Sequence, residues 1–96
     1  MIGVLVTFHY DDGVDAVAVT AIAEGAQERF QGMPGLRNKF FTVDDAGEAA
    51  RNFYVWESEE AARAFFSEEL LERVTALYGV RPSVEFVDIA ALVDNS

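Results

Sequence analysis

The sequence predicts an α+β fold in which a central strand leads directly into a helix. The four bulky residues at 53–56 lack polar alternation, which suits a strand buried on both faces. After residue 56 the spacing of apolar residues changes to that of a helix. Ser58 can cap this helix, and Glu59 and Glu60 suit its positive N-terminal end. Apolar residues at helical spacing follow. One face of the strand must therefore meet this helix, and the other must meet something else.

The first half of the chain predicts a strand, a helix and a second strand. Residues 2–10 alternate, and a helix is expected over 14–31 with Asp12 as a candidate N-cap. The apolar stripe of this helix consists mostly of small residues, which lets it lie close to a sheet or leaves room for a ligand. Gly32 ends the helix, and residues 36–43 predict the second strand.

The second half predicts the remaining strands and a second helix. Residues 44–47 are expected to form a turn that joins the second strand to the central one as a β-hairpin. The second helix is expected over 58–78, with a kink permitted at 67–69, where Ser67 could cap the chain a second time. A last strand is expected over 83–93, with a bulge or bend near Asp88 where the alternation breaks.

The resulting order is strand, helix, strand, strand, helix, strand, which is the ferredoxin-like split βαβ pattern. Both helices then lie on one face of a four-stranded antiparallel sheet. Each strand also carries large apolar residues on its other side, and an exposed patch of that size is unusual for a monomer. We therefore expect one domain, residues 1–96, that forms a homodimer by packing a second sheet on this face.

Composition argues against several classes of function. Seven basic and 17 acidic residues give a formal charge of −10, so the surface repels nucleic acids and anionic membranes. The chain has no cysteine and a single histidine, which argues against a zinc or iron–sulfur site. No apolar run is long enough to span a membrane, and no glycine-rich phosphate loop occurs. We expect a cytoplasmic protein with no metal and no nucleotide cofactor.

Five segments together resemble the YdhR-like monooxygenase family, within the antibiotic-biosynthesis-monooxygenase-like dimeric α+β barrels. They are MPGL at 33–36, KFF at 39–41, YVWESEEAA at 54–62, YG at 78–79 before Pro82, and VDN at 93–95. The resemblance covers residues from about 30 to 95. It implies a homodimer whose two sheets face each other as a barrel, with a pocket between each sheet and its own helices.

The same resemblance implies a range of activities. Some relatives oxidise polycyclic phenols with O₂ and no cofactor, while others degrade haem, isomerise lactones or cyclise polyketides. The haem-degrading relatives place a ligand histidine on the second helix. Residues 58–78 contain none, which argues against haem.

Two residues are candidate catalytic groups. His9, the only histidine, could act as a general base at a strand end beside the pocket, or be a partly exposed strand-end residue. Lys39 lies between Asn38 and two phenylalanines, so it could hold an anionic oxygen or have a lowered pKa. Alternatively its long stem carries the charge to a carboxylate.

Four residues are candidate substrate contacts. Asn52, Tyr54 and Trp56 alternate and so share one face, where their polar tips could donate hydrogen bonds and both rings could stack on an aromatic ligand. The alternative is core packing. Phe66 is a candidate pocket wall, or a core residue together with Phe65.

The family resemblance, together with the polar-tipped aromatic face, favours a cofactor-independent monooxygenase that acts on a small aromatic or polycyclic phenol or quinol. In this hypothesis His9 removes the phenol proton, Lys39 pairs with the anion, and Asn52, Tyr54 and Trp56 orient the ring. A non-redox isomerase or cyclase would need the same base and anion site without O₂. A dimer that binds a small ligand without turnover is the third possibility.

Overall fold

The computed structural model describes residues 1–11, 13, 15–43 and 49–95. Four strands form one sheet in the order β2-β3-β1-β4, and every neighbouring pair is antiparallel. This confirms the predicted ferredoxin-like α+β fold. Along the chain the elements are β1 (Ile2–His9), α1 (Ala16–Phe30), β2 (Leu36–Val43), β3 (Ala49–Trp56), α2 (Glu59–Phe65), α3 (Glu68–Tyr78) and β4 (Ser83–Asp88).

The first helix begins later than the sequence predicted. Asp15 is its N-cap, because the Asp15 carboxylate accepts a hydrogen bond from the Ala18 amide at 3.1 Å. The helix therefore covers Ala16–Phe30 rather than 14–31. The predicted cap Asp12, residue 14 and the predicted turn at 44–47 lie outside the described residues.

The last strand is shorter than the predicted span of 83–93. β4 ends at Asp88, which lies opposite Ile2 at the start of β1. Beyond that point β1 offers no further residues for pairing except Met1, whose carbonyl accepts the Ile89 amide at 3.4 Å. The first strand likewise ends at His9, one residue earlier than predicted.

The predicted second helix is two helices. Phe66 leaves the helical conformation with φ −86° and ψ 61°, which ends α2. The Ser67 hydroxyl then accepts the Leu70 amide at 3.2 Å and caps α3. Gly79 ends α3 at φ 88°, a left-handed conformation that suits glycine.

The sheet has one face against the helices and one face without a covering layer in this chain. On the inner face Val4 lies opposite Tyr54 and Val6 opposite Asn52. The buried core on this side joins the sheet to all three helices, through Val19, Ala62 and Tyr78. We call the opposite side, which carries Leu5, Phe53 and Phe40, the outer face.

Candidate active site

A cavity of about 610 Å³ lies between the inner face of the sheet and the helices. Strands β1, β2 and β3 form its floor, α1 and α3 form its walls, and residues 64–67 contribute where α2 ends. Its volume lies in the range of sites that enclose small organic ligands. Most of its lining is apolar or aromatic, so the few polar groups that face it decide its chemistry.

Lys39 is the central polar group of the cavity. It lies opposite Tyr54 on the inner face, and its Nζ is 3.5 Å from the centroid of the Phe30 ring. The same atom is 4.1 Å from the Phe41 centroid and 4.3 Å from the Tyr54 centroid. We call these three rings the aromatic cage. Ring faces attract an ammonium, so the cage stabilises the protonated form.

Burial has the opposite effect on Lys39. It lowers the pKa of the Lys39 amine to about 7, and the positive charge of Arg29 acts in the same direction. The amine can therefore both accept and release a proton near neutral pH. That property suits a general base or the counter-ion of a phenolate.

Asn52, Tyr54 and Tyr78 provide the neutral polar groups of the cavity. The Asn52 side-chain amide donates to the Tyr78 hydroxyl at 3.3 Å, and Tyr78 stacks on Phe8 with ring centroids 3.8 Å apart. Burial raises the pKa of Tyr54, and its electrostatic interaction with Tyr78 adds to the rise. Tyr54 therefore stays a neutral phenol near neutral pH and can donate a hydrogen bond.

Tyr78 is a site residue that the sequence analysis did not assign. The Tyr10 hydroxyl donates to the Tyr78 backbone carbonyl at 3.0 Å, which fixes the C-terminal end of α3 against β1. The available signal was its helical spacing, since Tyr78 continues the row of Ala62, Phe66, Leu70 and Val74 at intervals of four residues.

His9 does not lie beside this cavity, contrary to the expected position. It pairs with Ala49 at the end of β1 and is exposed on the outer face. Its neighbour Phe8 points to the inner face and lines the cavity. Because successive strand residues point to opposite faces, His9 and Phe8 cannot both face this cavity.

Trp56 also lies away from the cavity, whereas Phe66 lines it. Trp56 is 2% exposed, and its ring centroid lies 5.1 Å from that of Phe65 in the core. Its Nε1 is buried and has no hydrogen-bond partner among the described residues. Phe66 packs edge-on against Tyr54 at 4.9 Å between centroids. The structure thus brings together Lys39, Asn52, Tyr54 and Phe66 but not His9 or Trp56.

Among the described residues, no three histidine, aspartate or glutamate side chains lie close enough together to hold a metal ion. No helix in the described part of the chain is long and apolar enough to cross a membrane.

The fold places the chain among proteins with the antibiotic-biosynthesis-monooxygenase fold. A monooxygenase from the gene ActVA-Orf6 of Streptomyces coelicolor, in complex with the ligand nanaomycin D, is 28% identical. The match covers 99% of this chain and 92% of that chain, with a TM-score of 0.71. Comparisons with family models and with curated proteins find no match.

Two other solved structures share the fold at lower identity. A mutant of SnoaB, a cofactor-independent oxygenase from Streptomyces nogalater, is 18% identical with a TM-score of 0.65. That match covers 96% of this chain and 95% of the other. A further antibiotic biosynthesis monooxygenase is 14% identical over 95% of this chain and 100% of its own length, with a TM-score of 0.64.

Proposed function

We propose that this protein is a cofactor-independent monooxygenase that oxidises a small aromatic or polycyclic phenol or quinol. The similarity to a monooxygenase and to a cofactor-independent oxygenase supports the reaction class. The aromatic lining of the cavity supports a planar ring as substrate. The narrower assignment to the YdhR-like branch depends on the sequence motifs alone.

The observation that carries the proposal is the Lys39 amine held in the aromatic cage. An amine with a pKa of about 7 can remove a proton from a bound phenol at neutral pH. The ammonium that results then pairs with the phenolate it has produced. Lys39 thus takes both roles that the sequence analysis divided between His9 and Lys39.

The remaining chemistry belongs to the substrate and O₂. Removing the hydroxyl proton from the phenol tautomer of an anthrone gives an electron-rich anion with negative charge on the ring carbon that was CH₂, and this anion passes one electron to O₂. The two radicals combine to form a C–O bond, and the resulting hydroperoxide loses water to leave a carbonyl. One oxygen atom of O₂ enters the product and the other leaves as water, so the CH₂ carbon supplies all four electrons.

The neutral groups of the cavity orient the substrate and limit access of water. Tyr54 and Asn52 face the ring from β3, and Phe66 forms a wall beside them. Fixed donors near the developing negative charge stabilise it without reorganisation. Apolar walls protect the reactive anion and radical from side reactions with solvent.

The active form in this proposal is a homodimer that packs two outer faces together as a barrel. Leu5, Phe53 and Phe40 lie in one row across three adjacent strands of this face. Phe40 is 54% exposed in the single chain. In the C-terminal segment Leu92 is 49% exposed and Val93 is 81% exposed. A second copy would remove much of this apolar surface from water.

Labelled oxygen tests the reaction. Dithranol, a tricyclic phenol with a ring CH₂, would be incubated with the protein under ¹⁸O₂ and its product examined by mass spectrometry. We expect an enzyme-dependent quinone that contains one labelled oxygen. Lys39→Met should slow this reaction by about 100-fold or more, the usual contribution of a general base.

Controls separate this proposal from its alternatives. Arg81→Gln removes an exposed positive charge that is paired with Glu68 outside the cavity, so it should keep wild-type rates. A product isomeric with its substrate, formed equally without O₂, would identify an isomerase or cyclase instead. Rates equal to those without protein, across a panel of quinols, would contradict the monooxygenase.

A further inference from the structure

The charges around the cavity differ from those of the rest of the molecule. The sequence has 17 acidic and seven basic residues. Nevertheless three basic residues, Arg29, Lys39 and Arg73, line the cavity, and no aspartate or glutamate among the described residues does. In a protein with a net negative charge, a cavity whose charged lining residues in the described part of the chain are all basic suits an anionic ligand.

We place the two arginines at the mouth of this cavity because each lines it and is also exposed to solvent. Arg29 extends from α1 and Arg73 from α3. In contrast, Arg63 and Arg81 form ion pairs with Glu59 and Glu68. Within the described ranges Arg29 and Arg73 have no carboxylate within ion-pair distance, although glutamates lie close to them in sequence.

We propose that the ligand of this cavity is an aromatic compound that also carries a carboxylate, which Arg29 and Arg73 bind at the mouth. The inference rests on the proposed function only in taking this cavity as the substrate site. It adds a second anionic group, separate from the phenol that meets Lys39, and so narrows the substrate class to hydroxylated aromatic acids.

The geometry suits a carboxylate better than a neutral substituent. A guanidinium offers two parallel N–H donors that match the two oxygens of a carboxylate. Both partners stay in contact with water at the mouth, so little desolvation opposes the pairing. The rings of the ligand would lie against the aromatic cage, whose three residues line the same cavity as the two arginines. Without these cations the net charge of the protein would repel such a ligand.

Binding of two matched compounds tests the proposal without any turnover. The probes are 2-naphthol and 6-hydroxy-2-naphthoate, which share the ring and the phenol, and the measurement is calorimetric titration under nitrogen. We expect the carboxylate to bind about tenfold more tightly, which corresponds to about 1.4 kcal/mol. The preference should decrease as ionic strength rises, because the arginines are exposed.

Charge-matched variants separate a specific contact from a general field. Arg29→Gln, Arg73→Gln and the double variant should each reduce the preference, and the double variant should abolish it. Arg81→Gln changes the net charge by the same amount as each single variant but lies outside the cavity, so it should keep the preference.

The outcomes are distinct from those that test the oxygenase reaction. Equal affinities for the two probes, equal loss in Arg81→Gln, or no binding of either probe would overturn the carboxylate proposal. A preserved carboxylate preference in a protein that oxidises no quinol would support this proposal and contradict the monooxygenase. Oxidation of neutral quinols with no carboxylate preference would do the reverse.

Discussion

At the scale of single residues, Lys39 is the position where two physical effects oppose each other. Burial and Arg29 favour the neutral amine, whereas the three rings of the aromatic cage favour the ammonium. Among the described residues the Lys39 ammonium contacts ring faces rather than the carbonyl and carboxylate oxygens that usually bind a lysine. The Lys39 ammonium can therefore pair with a ligand anion without first breaking an ion pair within the described part of the protein.

The pH dependence of stability should report this balance. Below pH 7 the folded protein carries a buried ammonium, which the unfolded chain instead exposes to water. Between about pH 7 and 10.5 the folded state loses this proton while the unfolded state keeps it, so this site makes the free energy of unfolding rise with pH. Lys39→Met lacks the titration. Its stability advantage over wild type should be largest below pH 7 and should decrease toward pH 10.

Urea unfolding of both proteins from pH 6 to 10 gives the comparison. Because only the change with pH matters, any constant gain from the methionine side chain cancels. Arg81→Met is the matched control, since it replaces an exposed cation and should show no such trend in this range. A difference between wild type and Lys39→Met that stays flat over this range would contradict a lowered Lys39 pKa.

At the scale of elements, the break between α2 and α3 shapes the cavity. Because the chain leaves the helix at Phe66, the adjacent side chains of Phe65 and Phe66 both reach the cavity. In a continuous helix, neighbours about 100° apart would diverge. The break is stabilised by Ser67, which caps the new helix, with Glu68 and Glu69 in its first turn.

The cap can be tested directly. Ser67→Ala removes the acceptor for the Leu70 amide and should lower the free energy of unfolding by about 1 kcal/mol. Ser67→Asp keeps an acceptor at the N-cap and should remain close to wild type. Chemical denaturation measures both. If alanine and aspartate at this position gave equal stabilities, the cap would not stabilise the break.

Local chemistry made some of these elements predictable from sequence. The strand at 53–56 and the caps Ser58 and Ser67 follow from side chains that act on nearby backbone. The end of β4 was not predictable in this way, because it depends on where the neighbouring strand β1 begins.

The cavity was predictable only in part. The alternation of Asn52 and Tyr54 is local, but which face meets the helices depends on long-range packing. In β2 a bulge between Leu36 and Asn38 places Leu36 opposite Trp56, on the same face as Lys39, which simple alternation from Arg37 would not give. The gathering of Arg29, Lys39 and Arg73 from three separate elements is likewise a property of the folded chain.

At the scale of the whole molecule, two opposing terms govern the proposed dimer. The apolar outer face favours association, and the formal charge of −10 on each chain opposes it, since two chains together carry −20. Added salt screens the repulsion but leaves the apolar contact intact. The dimer should therefore become tighter as ionic strength increases, unlike one held by surface ion pairs.

Sedimentation velocity at micromolar concentration tests the dimer. We expect about twice the chain mass of 10.6 kDa. The dissociation constant should decrease when the salt concentration is raised from low to moderate.

Phe40→Lys places a charge on the outer face opposite Phe53 and should give monomers that remain folded, since Phe40 is largely exposed in the single chain. Val17→Lys is the matched control, because Val17 is 82% exposed on α1, in the helical layer on the other side of the sheet. A wild-type monomer at all salt concentrations would refute the barrel, and dissociation by Val17→Lys but not by Phe40→Lys would move the interface to the helices.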